Sequence, residues 1–102
     1  MRILFWKFIM DKRTQFYKRL KKKLKKDSSF PTKYLYKFII PADNDKINQI
    51  EKLFDHTGAV INKSTSKTGK YISVSALLVM KNADEIIEIY MEAEKVDGII
   101  SL

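Results

Sequence analysis

The chain has 102 residues, enough for one domain with a modest core, and its 45% hydrophobic and 31% charged residues place it among ordinary globular proteins rather than disordered ones. It has no cysteine, which excludes a disulfide scaffold, a thiolate metal site and a cysteine nucleophile, and which fits a cytoplasmic location. The formal charge of +8 is not spread evenly: residues 1–27 carry eleven Lys and Arg against two Asp and Glu, a net +9, whereas residues 28–102 carry nine against ten. The basicity therefore belongs to an N-terminal extension, and the remainder is close to neutral.

The chain opens on Ile3-Leu4-Phe5-Trp6-Lys7-Phe8-Ile9, an apolar run interrupted by Lys7. It falls far short of the ~20 residues needed to cross a bilayer and has no small-residue cleavage site of a secretory signal. Two readings stand: an interfacial anchor, or residues upstream of a true start at Met10. From residue 11 to residue 26, Phe16, Leu20 and Leu24 recur at i, i+4, i+8 with Tyr17 beside them. This predicts a basic helix capped by Asp11 and ended by Asp27-Ser28-Ser29, with a narrow apolar stripe. Lys18, Arg19, Lys21, Lys22, Lys23, Lys25 and Lys26 surround that stripe. Three roles are open to it: a solvated helix packing Phe16, Tyr17 and Leu20 on its own domain, a nucleic-acid contact, or an anionic membrane contact made together with the apolar N-terminus.

Beyond Pro31 the periods sharpen. Tyr34-Leu35-Tyr36-Lys37-Phe38-Ile39-Ile40, stopped by Pro41, predicts a first strand. Ile47, Ile50, Leu53 and Phe54 follow at helical spacing, with Asp43 or Asn44 to cap the helix and Gly58 to leave it. Residues 59–64 predict a second strand, Ser66-Lys67-Thr68-Gly69 a turn, and residues 71–80 a long third strand alternating in polarity. Asn82 with Glu85 three residues on opens a last helix whose Ala83, Ile86, Ile87 and Tyr90 share a face. Gly98 then precedes a short closing strand, Ile99-Ile100-Ser101-Leu102. The order βαββαβ predicts an α+β, ferredoxin-like sandwich: a four-stranded antiparallel sheet with two helices on one face, preceded by the basic helix. The expected division is an extension over residues 1–27 and a folded domain over residues 28–102.

Phe30-Pro31 followed by Tyr36-Lys37, then Ser66-x-x-Gly69-x-Tyr71-x-Ser73-Val74-Ser75 and the closing helix and strand, resemble the YbeD-like family of small bacterial proteins, a domain of unknown function (DUF493). The resemblance covers about residues 28–102. It implies a fold similar to the ligand-binding ACT domains of metabolic enzymes, and gene neighbourhood in some members hints at lipoate metabolism. Family members start near the equivalent of Met10, which favours the later start. The lysine-rich run over residues 18–26 is more basic than the family pattern requires, and no role for it carries over.

No catalytic constellation can be assembled, so an enzyme is not expected, and neither a cofactor nor a metal site is. His56 is the sole histidine and has no second ligand type beside it. Lys67-Thr68-Gly69-Lys70 lacks the glycine of a phosphate loop at Ser64 and its hydroxyl at Tyr71, and lies between strands rather than before a helix. Glu85, Glu88 and Glu92 fit a solvated helix face. The third strand offers one aromatic, Tyr71, followed by Ser73 and Ser75, a poor platform for stacking RNA bases. What the pattern does leave is an open sheet face. With Tyr34, Tyr36, Phe38 and Ile40 turned to the helices, Leu35, Lys37, Ile39, Tyr71, Ser73, Ser75, Leu77 and Val79 face outward. Such a face needs a cover: the N-terminal helix, a second copy in a homodimer, or a protein partner. The expected function is a regulatory or interaction module that binds a protein partner or small molecule through Lys37, Ser66, Lys67, Gly69, Lys70, Tyr71, Ser73 and Ser75. The alternative is nucleic-acid or membrane binding by the basic helix.

Overall fold

A computed structural model describes residues 2–27 and 29–102, with side chains from residue 15 onward. The elements run α1 (Arg2–Asp27), β1 (Thr32–Pro41), α2 (Asn44–Lys52), β2 (Val60–Thr65), β3 (Tyr71–Met80), α3 (Ala83–Ala93) and β4 (Ile100–Ser101). The four strands form one antiparallel sheet in the order β2-β3-β1-β4. This is the α+β, ferredoxin-like arrangement, with α1 preceding it.

Strand alternation builds the core. On β1, Tyr36, Phe38 and Ile40 are fully buried while the alternate residues Leu35 and Lys37 are exposed and Ile39 is half-buried. The cross-strand partners of the buried set on β3 are Ala76, Val74 and Ile72. Ile50 and Phe54 from the α2 region, and Ile86 and Ala93 from α3, close over this layer. Two tyrosines anchor polar ends inside the layer: Tyr36 donates to the Ile86 carbonyl at 3.0 Å, and the Tyr34 and Tyr90 hydroxyls meet at 2.6 Å. Among the described residues no buried side-chain polar atom lacks a partner.

Both helix starts follow from local chemistry. The Asp43 carboxylate accepts from the Asp45 and Lys46 amides, and the Asn82 side chain accepts from the Glu85 amide at 2.9 Å. Residues 66–71 form a tight hairpin turn. Ser66 takes the Gly69 amide on its carbonyl and the Tyr71 amide on its hydroxyl, and Gly69 supplies the positive φ of 73°. The phosphate-like string Lys67-Thr68-Gly69-Lys70 is thus turn chemistry.

Two expectations about α1 need correcting. The helix starts at Arg2, so Asp11 lies inside it instead of capping it. The side chains of residues 3–9 and of Asp11, on which the anchor and cap readings bear, lie outside the described residues. The docking stripe is also turned by about one residue from the expected Phe16–Leu20–Leu24 line. Tyr17 is 6% exposed, Lys21 meets Asp84 of α3 at 2.6 Å, and Leu24 packs on the core, whereas Phe16 is 57% exposed. An i, i+4, i+7 stripe of an amphipathic tyrosine, a lysine stem and a leucine suits a helix lying on the rim of another helix better than three apolar residues in line. His56 lies exposed in the turn after α2 with a φ of 63°.

Candidate functional site on the open sheet face

The residues between the core positions on each strand compose the second face of the sheet. The register aligns them in rows: Leu35, Leu77 and Val60 in one, Lys37, Ser75 and Asn62 in the next, then Ile39, Ser73 and Ser64, with Ile100 of β4 beyond Ile39. Leu35 is 48% exposed, Val60 59% and Val79 60%, so the apolar end of this face is open to solvent. α1, one of its three expected covers, docks against α3 on the far side of the sheet and leaves this face bare.

The central rows enclose a shallow cavity of ≈ 230 Å³ lined by Lys37, Ile39, Asn62, Ser64, Ser73 and Ser75, with Leu102 at its edge. Its floor carries one ammonium, three hydroxyls and one carboxamide. Among the described residues none of these five polar side chains has a hydrogen-bond or ionic partner. None of the four strands contains an aspartate or glutamate. The acidic residues all lie in helices and turns, so the face presents donors and positive charge flanked by aliphatic side chains. Lys63 points to the other side of β2, where it pairs with Glu51 at 2.7 Å and is spent on holding α2 to the sheet edge.

Of the residues singled out from sequence, Lys37, Ser73 and Ser75 come together in this cavity. Tyr71 lies at the end of the same face, opposite Pro41. Ser66, Lys67, Gly69 and Lys70 sit in the hairpin turn and do not line the cavity. Asn62 and Ser64 were missed. The alternation of Val60, Asn62 and Ser64 was visible in the sequence, but only the β2–β3 register places them opposite Leu77, Ser75 and Ser73. The lysines of α1 belong elsewhere: Lys21 pairs with Asp84, and Lys18, Arg19, Lys22, Lys23, Lys25 and Lys26 are exposed on the helix. His56 borders a separate open depression with Glu85 and Glu88. Among the described residues no group of His, Cys, Asp and Glu has the geometry of a metal site.

The two perturbed tyrosines belong to the core rather than to the open face. Burial pushes the Tyr36 and Tyr90 hydroxyls far above the usual phenol range, and the neighbouring tyrosines add to the effect. Asp84 moves the other way: its hydrogen bond with Lys21 holds the carboxyl below the ordinary carboxylate value.

Known structures share this fold. The solution structure of protein HP0495 from H. pylori is 20% identical, covering 74% of this chain and 85% of that one with a TM-score of 0.59. The crystal structure of the ACT domain from GTP pyrophosphokinase of Chlorobium tepidum is 18% identical, covering 70% of this chain and all of that one with a TM-score of 0.51. An NMR structure of that ACT domain is 17% identical with a TM-score of 0.50, covering 69% of this chain and 86% of that one. No curated protein matches the chain in sequence. At these identities the likeness establishes an ACT-like fold. A family profile matches residues 25–102, and by that match the chain belongs to the family described as protein of unknown function (DUF493).

Proposed function

We propose that the protein is a non-catalytic regulatory or interaction module whose open sheet face binds a protein partner or a small metabolite. The observation that carries this reading is the uncovered face itself: aliphatic Leu35, Leu77, Val60 and Val79 beside a cluster of unpaired donors, with no acid on any strand. Leaving aliphatic area in water forgoes roughly 25 cal/mol for each Å² not buried. A partner that supplies carboxylate or carbonyl acceptors to Lys37, Ser73 and Ser75, and apolar surface to the leucines, recovers both terms. A face-to-face homodimer is the less favourable cover, since it brings Lys33 and Lys37 of one copy toward those of the other without a counter-charge on the strands. The ACT-like fold supports the regulatory part of the reading by analogy alone.

The test is capture from native extract at high salt with two baits, the chain itself and its Leu77→Asp variant. A component retained by the first and lost by the second supports the reading, because Leu77 is surface-exposed and its substitution leaves the core intact. Equal retention by both baits places the contact away from this face and removes the proposal.

A further inference from the structure

The exposed side of α1 carries an observation independent of the sheet. Tyr17, Lys21 and Leu24 hold the helix to α3. Arg19, Lys22, Lys23 and Lys26 recur at i, i+3, i+4, i+7, so they form a second stripe, and all four are exposed. Asp84 neutralises Lys21 on the docking side, and the second stripe has no carboxylate in it. Phe16, 57% exposed, borders the same side. Length is the other half of the observation. A helix of 26 residues runs ~39 Å, whereas α3 with 11 residues runs ~16 Å, so α3 is long enough to accompany less than half of α1. In sequence, that N-terminal part holds Ile3, Leu4, Phe5, Trp6, Phe8 and Ile9. No helix among the described residues is long and apolar enough to cross a membrane.

We infer that α1 is an interfacial anchor that lays the protein on an anionic lipid surface. A cationic stripe alone suits any polyanion. The apolar first turns discriminate, because a nucleic-acid duplex would leave them in water, whereas the boundary between headgroups and acyl chains takes them up while the lysines meet the phosphates. Two weak signals are needed for stable attachment, and one helix of this chain supplies both. The folded domain then hangs from the C-terminal half of α1 through the Tyr17–Lys21–Leu24 stripe, with the open sheet face turned away from the helix.

The chain supplies its own reporter, since Trp6 is the sole tryptophan. The full chain is titrated with vesicles of pure phosphatidylcholine and with vesicles of phosphatidylcholine and phosphatidylglycerol in equal parts, following Trp6 emission and co-sedimentation. The expected result is a shift of emission to shorter wavelength and sedimentation with the anionic vesicles alone. Replacing Lys22, Lys23 and Lys26 together by Gln should weaken that binding on the order of 100-fold, at about fivefold per lysine near an anionic surface. The same lysines are solvent-exposed, and circular dichroism verifies that the variant stays folded. Equal binding to both vesicle types, absence of binding, or tight binding of a duplex oligonucleotide with Trp6 emission unmoved would each overturn the inference. The last result would make nucleic acid the occupant of the stripe.

Discussion

The two faces of the sheet are made by the same three long strands, residue by alternate residue, yet they meet opposite fates. On the helix side Tyr36, Phe38, Ile40, Val74 and Ala76 are wholly buried, and every buried side-chain polar atom among the described residues has a partner. On the other side Leu35, Leu77 and Val79 remain 39% to 60% exposed beside hydroxyls and an ammonium that have none. Residues of similar hydrophobicity thus do two jobs. One set supplies the free energy of folding, and the other is held rigidly in place by it. A flat array fixed by two neighbouring strands loses little conformational freedom when something binds to it, which is what an interaction surface requires.

Substitution sharpens that contrast most. Phe38→Ala removes a fully buried ring that stacks on Tyr36 and tilts against Phe54, and it should destabilise the fold by about 3–5 kcal/mol. Leu77→Ala on the opposite face of the sheet should cost clearly less, about 1 kcal/mol, since 39% of its surface is already in water. Urea unfolding of the two variants reads both numbers. Comparable losses would mean that the open face is part of a core, and the assignment of the two faces would fail.

Alkaline titration tests the sealed face alone. Tyr36 and Tyr90 have their folded-state hydroxyl pKa raised above the ordinary value of 10.0, so their contribution to stability is fully present below that pH. It declines as pH climbs past the unfolded-state value toward the folded one, at about 1.4 kcal/mol per pH unit for each tyrosine. In a Tyr71→Phe chain, which lacks the tyrosine exposed on the open face, unfolding free energy should therefore stay flat toward pH 9 and then drop, with a tyrosinate absorbance rise that coincides with loss of structure. Tyrosinate appearing at pH 10 while that Tyr71→Phe chain is still folded would show that the cluster is open to water. A related, smaller loss is expected from Tyr34→Phe. It deletes the 2.6 Å contact to the half-buried Tyr90 hydroxyl and should cost about 1–2 kcal/mol in the same urea assay.

The periodicity that builds the sealed face is strong enough to read directly. Two-residue alternation through Tyr36, Phe38 and Ile40, and through Val74, Ala76 and Leu78, assigns strands and faces. Asn82 and Asp43 mark the helix starts where the caps in fact lie. The ends were less legible. β4 pairs over Ile100–Ser101 alone, although four residues looked strand-like, because Val96 carbonyl takes the Ile99 amide and holds it in the preceding turn. The site was half legible for a related reason. Lys37, Ser73 and Ser75 lie on two strands whose alternation shows their direction, but which residues of β2 join them is a matter of register, and register is fixed by long-range pairing. α1 was misjudged in rotation because an apolar count favours Phe16. The contacts that accompany the observed rotation are tertiary and appear in no local pattern: the burial of Tyr17, the packing of Leu24 and the Lys21–Asp84 ion pair to α3.

That ion pair carries the smallest prediction. Lys21 and Asp84 both keep much of their side-chain surface in water, so their pairing orients α1 on α3 without adding measurably to global stability. Asp84→Asn should leave the urea midpoint within error. Carbon-detected NMR titration should instead find the Asp84 carboxyl below the ordinary carboxylate value of 3.8, and Lys21→Ala should bring it back up. The sign fixes the pH range. Because the folded-state pKa is depressed, the contact is intact above the unfolded value and is released as pH falls through the folded one. An Asp84 that titrates normally in the unsubstituted chain would mean that the Lys21 pair does not form in solution. The buried Tyr17 and the packed Leu24 would then hold α1 on the helix side by themselves, and the contrast between the two faces would rest on apolar contact alone.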